Sequence, residues 1–202
     1  MLIDVSGAEV LDVYRLLIDV VTPRPIAWVT SVDLEGRVNL APFSFFNAFG
    51  ANPPVVVFSP TLRRDGGRKD TLCNVEATGE FVLNSAVESL AEQVNESSRE
   101  LPPGQSEVEW TGLSLLPSRK VRPPRLAESP AHLECRLLQI VPIGKGPIAA
   151  NLVIGEVVVI HVEDGVLGES GRVDPRKLRT IARLGGDHYC RSTDLFEMER
   201  PR

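Results

Sequence analysis

Ile26-Ala27-Trp28-Val29-Thr30-Ser31-Val32-Asp33-Leu34-Glu35-Gly36-Arg37-Val38-Asn39-Leu40 sets a short polar segment with one glycine between two apolar runs. Gly36 supplies the backbone freedom of a tight reversal, so the stretch reads as a β-hairpin. Outward from it, Pro54 to Ser59, Phe81 to Asn84, His132 to Val141 and Leu152 to Val162 are further β-branched or aromatic runs bounded by Gly, Pro, Asn and Asp. With Ile26 to Val32 these make at least five strands. Helical signals are fewer. Asp70 to Ala77 opens with Asp and Thr and stops at Gly79, Val87, Leu90, Ala91 and Val94 repeat at helical spacing, and a third helix is expected from Pro175 to Arg183. Leu101 to Gln105 and Lys120 to Pro130 are rich in Pro, Gly and charge and read as loops. Hairpins outnumber any regular strand–helix alternation, which predicts a mainly β fold: an antiparallel barrel with a few short peripheral helices. With no repeat and no linker composition, residues 1–202 are expected to form a single domain.

Composition narrows the function. The 43% hydrophobic and 24% charged content is that of a globular core. The 27 acidic against 22 basic side chains give a net charge of −5, which argues against nucleic acid as a partner. No stretch approaches the roughly 18 apolar residues that would span a bilayer, and Met1-Leu2-Ile3-Asp4 lacks the start of a secretion signal. Cys73, Cys135 and Cys190 are odd in number and far apart, so free thiols in the reducing cytoplasm are expected. His132, His161 and His188 stand alone, and the His132/Cys135 and His188/Cys190 pairs lack the further ligands of a zinc site, so no metal is expected. The signatures of P-loop ATPases, Rossmann dinucleotide sites, serine hydrolases and zinc proteases are absent.

Two regions carry chemistry. In Arg64-Asp65-Gly66-Gly67-Arg68-Lys69-Asp70-Thr71 a flexible glycine pair and several cations lead straight into a helix start. Free backbone N–H groups, the positive end of the helix dipole, the Lys69 charge and the Thr71 hydroxyl together suit a phosphate. The same residues would also make a solvated basic turn capped by Asp70. In Asn39-Leu40-Ala41-Pro42-Phe43-Ser44-Phe45-Phe46-Asn47-Ala48-Phe49 aromatic rings interleave with Ser44 and Asn47. Five of the seven phenylalanines fall between Phe43 and Phe58. The segment can wall a planar ligand, or it can be an aromatic core strand. If it is a strand, Phe45 and Phe46 face opposite ways and at most one meets a ligand. A phosphate site close in sequence to a flat-ring site is what flavin mononucleotide (FMN) requires.

The words Tyr14-Arg15-Leu16-Leu17, Pro23-Arg24-Pro25-Ile26-Ala27-Trp28-Val29-Thr30-Ser31, Asn39 to Asn47, Pro53-Pro54, Lys69-Asp70-Thr71, Thr78-Gly79-Glu80-Phe81-Val82 with Asn84, and Arg183-Leu184-Gly185-Gly186 with Tyr189 occur in this order over most of the chain. In this the sequence resembles the flavin reductase-like FMN-binding split-barrel proteins, the flavoredoxin-type branch in particular. The resemblance implies FMN at a homodimer interface along one side of a split barrel. Ring and ribityl chain would lie against Trp28, Val29, Thr30 and Ser31, with Asn39, Ser44, Phe45, Phe46 and Asn47. The phosphate would fall to Ser31, Lys69 and Thr71, with Ser59 a weaker candidate, and Asp70 between them counts among the cofactor-binding residues. Arg183, His188 and Tyr189 would lie near the open ring face or a second substrate.

Flavin performs the redox chemistry itself, so no catalytic side chain is required. The resemblance thus implies an FMN-dependent oxidoreductase: an NAD(P)H:flavin reductase with a transient nicotinamide donor, or a flavoredoxin-like electron carrier. A partner oxygenase or other electron acceptor is part of that expectation. The alternative is a non-catalytic split-barrel binding module for FMN or for another cofactor such as haem or deazaflavin.

Overall fold

Between Ala27 and Val32 every residue is buried, because alternate side chains enter two different cores. The computed structural model describes residues 2–101 and 105–201. Its elements are α1 (Val10–Val20), β1 (Arg24–Pro25), β2 (Ala27–Val32), β3 (Val38–Phe43), β4 (Phe46–Ala51), β5 (Pro54–Phe58), α2 (Asp70–Thr78), β6 (Glu80–Ser85), α3 (Ala91–Glu96), α4 (Glu107–Thr111), β7 (Leu115–Leu116), β8 (Arg125–Leu126), β9 (Ala131–Ile143), β10 (Ala150–Val162), α5 (Pro175–Leu178), β11 (Ile181–Arg183) and β12 (Tyr189–Arg191). The fold is mainly β and antiparallel, and all five expected strands are present.

Seven strands form one sheet in the order β3-β2-β6-β9-β10-β5-β4. The first and last members, β3 and β4, are consecutive in the chain and separated only by Ser44 and Phe45. The sheet must therefore curl until its two edges meet at that corner. The Ser59 N–H donates to the Phe45 carbonyl at 2.9 Å and so carries the β4–β5 pairing one residue into that corner. Inside lies the first core, where Phe43, Phe58 and Phe81 pack in series, tilted and edge-to-face, with ring centroids 5.3 and 5.2 Å apart. On the other side of β2, Trp28, Leu40, Leu90, Val94 and Leu126 form a second core with α3 and α4.

One buried carboxylate fastens the proline-rich stretch after β7 to the barrel. Glu134, wholly buried on β9, accepts 2.7 Å bonds from the Arg119 and Lys120 backbone N–H groups and a 2.7 Å contact from His161 Nε2. Burial alone would push its pKa up, yet these partners outweigh it and hold the carboxyl below the usual range. Beside it, burial drops His132 to about 4, while its Nε2 meets the Leu126 carbonyl at 2.8 Å.

Two expectations need correction. The helix expected from Pro175 to Arg183 stops at Leu178. Asp174 caps it, but Arg179 turns left-handed at φ 50° and Ile181–Arg183 pairs with β1 and β12 instead. Sheet pairing at an available edge overrides weak helical spacing there. Within the expected loop Lys120 to Pro130, Arg125–Leu126 pairs with Leu115–Leu116. Residues 102–104 of the other expected loop lie outside the described residues. The helix α1 was not anticipated.

Gly155 marks a register shift between β9 and β10, and a Cβ there would overlap the Phe81 ring. Gly155→Ala is expected to destabilise the protein by about 1–3 kcal/mol through overpacking, read as a lower denaturant midpoint with an unchanged slope. An unaltered midpoint would contradict the close packing at this point.

Candidate functional site

The corner that closes the barrel also sorts its phenylalanines. Phe43 points inward, Phe46 packs against the first core, and Phe45 turns out to meet Tyr14 of α1 edge-on at 6.2 Å. Ser44 and Phe45 lie between strands rather than on one, and the two adjacent rings still face different surroundings. Beyond β5, the Leu62 N–H donates to Ala149 and the Arg63 N–H to Gly67, so the loop folds back on itself before entering α2. Gly66, at φ 84°, makes that return possible.

Lys69 occupies the position just before α2, and no side chain caps the helix start. Its ammonium lies 5.4 Å from the centroid of the Phe43 ring. Burial lowers its pKa first, the charge of Arg63 acts the same way, and Glu100 opposes them. Lys69 opens into a cleft of about 640 Å³ whose walls include Tyr14, Thr61, Arg63, Arg64 and Ser98. Arg63 also donates to Asp70 at 3.1 Å. The cleft thus combines three cations and three hydroxyls, with Asp65 and Glu100 as its acids, a composition suited to a phosphate ester. Arg63 has no signal of its own in the sequence beyond standing next to the Arg64 to Thr71 run, and Tyr14 and Arg64 fall within the Tyr14–Leu17 and Arg64–Thr71 segments without a separate role there.

Beneath Lys69 is a closed polar layer. Asn39 donates to the Thr71 hydroxyl at 2.8 Å, and Asn74 donates to the Ser31 hydroxyl at 3.1 Å. Ser31 and Asn39 face each other across β2 and β3, so the pairs bolt the first turn of α2 to the hairpin. Ser31 and Thr71 are buried, and so are Trp28, Val29 and Thr30. Trp28 Nε1 donates to Ser97 at 2.8 Å and Thr30 Oγ1 to the Pro124 carbonyl. Of the predicted residues, then, Lys69 faces the cleft directly, whereas the side chains of Trp28 to Ser31, Thr71 and Ser59 are buried and do not form its walls. Ser59 accepts from the Asn151 N–H, Asn47 is exposed and accepts from the Ala48 N–H, and Asp70 is held by Arg63.

The late segment reaches the same corner through Arg24. This buried guanidinium donates through Nη1 to the Ile18 and Val21 carbonyls at the end of α1, and through Nη2 to Leu184 at 2.9 Å. Its Nε lies 3.4 Å from Ser44 Oγ. Leu184 begins the β11–β12 turn, in which Arg183 lies over the Tyr189 ring at 4.4 Å and donates to Gly186, while Tyr189 donates to Asn95. His188 stays exposed, its Nδ1 3.3 Å from the Gly185 carbonyl.

The chain thus presents a curled antiparallel barrel and, at the start of α2, a cleft that carries Lys69, Arg63 and Arg64 beside Tyr14. The chain belongs to the flavin reductase like domain family, whose model matches residues 21–182. It is similar to nitrilotriacetate monooxygenase component B from Bacillus cereus, at 37% identity and a TM-score of 0.91 over 98% of each chain. It is also similar to 2-nitrobenzoate 2-nitroreductase of Pseudomonas fluorescens, at 34% identity and 0.89, over 100% of this chain and 96% of that one. Flavoredoxin of Desulfovibrio vulgaris (Miyazaki F), at 17% identity, shares the fold with a TM-score of 0.77 over 98% of this chain and 97% of that one.

Gly185 packs directly on α1: a Cβ there would overlap the Asp19 carboxylate and stand 3.2 Å from its Cα. Gly185→Ala is expected to loosen the turn from α1, exposing its amides to hydrogen exchange before the barrel strands open. Protection unchanged around residues 184–189 would show that the turn does not depend on this contact.

Proposed function

We propose that the protein is an FMN-binding oxidoreductase whose phosphate subsite is the cleft at the start of α2. The observation that carries this reading is Lys69: a half-buried ammonium beside an uncapped helix start, facing a cleft with further cations, in a chain of this flavin-binding family. The residues fit the group. Lys69, with Arg63 and Arg64, would hold the phosphate, Phe45 and Tyr14 offer apolar walls, and Ser44 and Asn47 are the hydrogen-bonding groups at the corner. Ser31, Asn39 and Thr71 would keep Lys69 and the helix start in place. Bound flavin supplies the electron transfer, while the protein positions it and limits solvent access.

Two activities are compatible with this chemistry, and each has a named relative above 30% identity. The likeness to a monooxygenase component supports an NAD(P)H:flavin reductase that serves a partner oxygenase. The likeness to a nitroreductase supports a flavin that stays bound and passes electrons to a small aromatic substrate. Anaerobic bleaching of bound FMN by NADH or NADPH, followed by a challenge with free flavin or a nitroaromatic compound, separates them. The three cysteines are unpaired, which supports a reducing compartment such as the cytoplasm, and among the described residues no helix is long and apolar enough to cross a membrane.

Lys69→Ala should weaken FMN about tenfold to a hundredfold, the worth of one charge-assisted hydrogen bond, and leave riboflavin almost unaffected. The depressed pKa fixes the sign of the pH effect. The ammonium form binds the phosphate, so FMN affinity should fall as pH rises, beginning below the ordinary lysine value of about 10.4. Fluorescence titration of both ligands across pH tests this, and equal losses for the two would refute the phosphate role.

The active unit is proposed to be a homodimer. Phe49 on the end strand β4 and Leu138, Ile143 and Ile160 on the long β9–β10 hairpin are exposed apolar side chains that a two-fold partner would cover. Sedimentation should find a dimer whose thermal stability rises with added FMN. A monomer that binds FMN at full affinity would refute this assembly.

A further inference from the structure

Arg24 is a buried cation whose described partners are all neutral oxygens: two carbonyls at the end of α1, the Leu184 carbonyl and the Ser44 hydroxyl. Isolated charges are seldom buried unless they are paired, because desolvation is costly. The last-turn carbonyls of α1 lower that cost, since they carry the partial negative charge of the helix end. An amide at this position could satisfy only part of the same set, and would bring no charge. A second guanidinium, Arg183, is close enough to disfavour the charge on Arg24, with Tyr14 and Asp19 as the opposing groups. The corner residue Ser44 therefore stands beside a positive charge held by two other segments of the chain, the end of α1 and the β11–β12 turn. Because Arg24 Nε is directed at Ser44 Oγ, it takes up an oxygen lone pair and leaves the hydroxyl proton to donate elsewhere.

Building on the FMN reading, we infer that Arg24 is a positioning residue that, through Ser44, stabilises negative charge on a ligand at the barrel corner, and so favours the reduced form of a bound flavin. The equilibrium concerned is the uptake of two electrons and one proton by the oxidised ring, which leaves the reduced ring with one negative charge. A preorganised dipole and a nearby buried cation stabilise that product more than the neutral oxidised ring, because neither has to reorganise as the charge appears.

The test is the two-electron midpoint potential of FMN bound to wild type, Arg24→Lys, Arg24→Gln and Ser44→Ala, titrated anaerobically with dithionite beside a reference dye. Arg24→Gln should lower the ratio of reduced to oxidised affinity about tenfold, a fall of about 30 mV for a two-electron couple. Ser44→Ala should shift the potential in the same direction by a smaller amount, and adding it to Arg24→Gln should change little further. Arg24→Lys should restore most of the wild-type value. An unchanged potential in Arg24→Gln with FMN still bound overturns the inference, as do fully additive shifts. Should Arg24→Gln fail to fold, Ser44→Ala decides: an unchanged potential there overturns the inference equally. Failure of wild type to bind FMN at all would instead overturn the functional reading on which it rests.

Discussion

The two ends of a seven-stranded sheet are joined here by a link of two residues. Because β3 opens the sheet and β4 closes it, Ser44 and Phe45 can connect them only if every strand between bends round a common interior. Right-handed strand twist supplies the curl, and the filled aromatic interior stops the barrel collapsing. The corner is thereby fixed from both sides, by β3 before it and by β4 after it, where the Ser59–Phe45 bond continues the β4–β5 pairing. A short link under such constraint is a precise platform, and the polar and aromatic residues least needed for the core, Ser44 and Phe45, project from it.

Two buried charges do complementary work around that barrel. Arg24 gathers carbonyls from α1 and the β11–β12 turn, and Glu134 gathers N–H groups from the proline-rich segment before β8. Each uses the part of an irregular segment that has no ladder or helical partner, so one ion satisfies several backbone groups that would otherwise be stranded. Around these bonds the segments bury few side chains: Ile18 alone in α1, and neither Leu184 nor Arg119 nor Lys120. Their attachment therefore depends on these few directional bonds more than on burial, whereas the barrel strands depend on burial.

The barrel was legible because its evidence is local. β-Branched runs with glycine or proline at their ends report strands regardless of what they pack against, and the Asp33 to Arg37 turn reports its own hairpin. The helix α1 left a trace that went unread: Asp12, Arg15 and Asp19 fall on one polar stripe at helical spacing, but apolar residues fill most of the remaining positions and blur the contrast. Pro175 to Arg183 misled because its propensity is helical while its last three residues meet a strand far away in sequence, Arg24–Pro25. The site was legible as words and not as directions. Lys69 and Thr71 are two residues apart in the same motif, yet one enters the cleft and the other is sealed under Asn39, a distinction made by how α2 sits on the hairpin.

That distinction bears on how a site of this kind can be altered without breaking the fold. Residues sealed beneath the cleft serve both layers at once: Thr71 and Ser31 anchor α2, and Trp28 fills the second core while donating to Ser97. Changing any of them disturbs the scaffold first, and a loss of ligand would follow from the displaced helix start rather than from a lost contact. Arg63, Arg64, Lys69 and Tyr14 lie on the open side, where a substitution removes charge or wall and leaves the barrel closed. On the FMN reading proposed above, the loop and α1 are the parts of the cleft open to change, while the corner that would carry the ring stays constrained by the closure of the sheet.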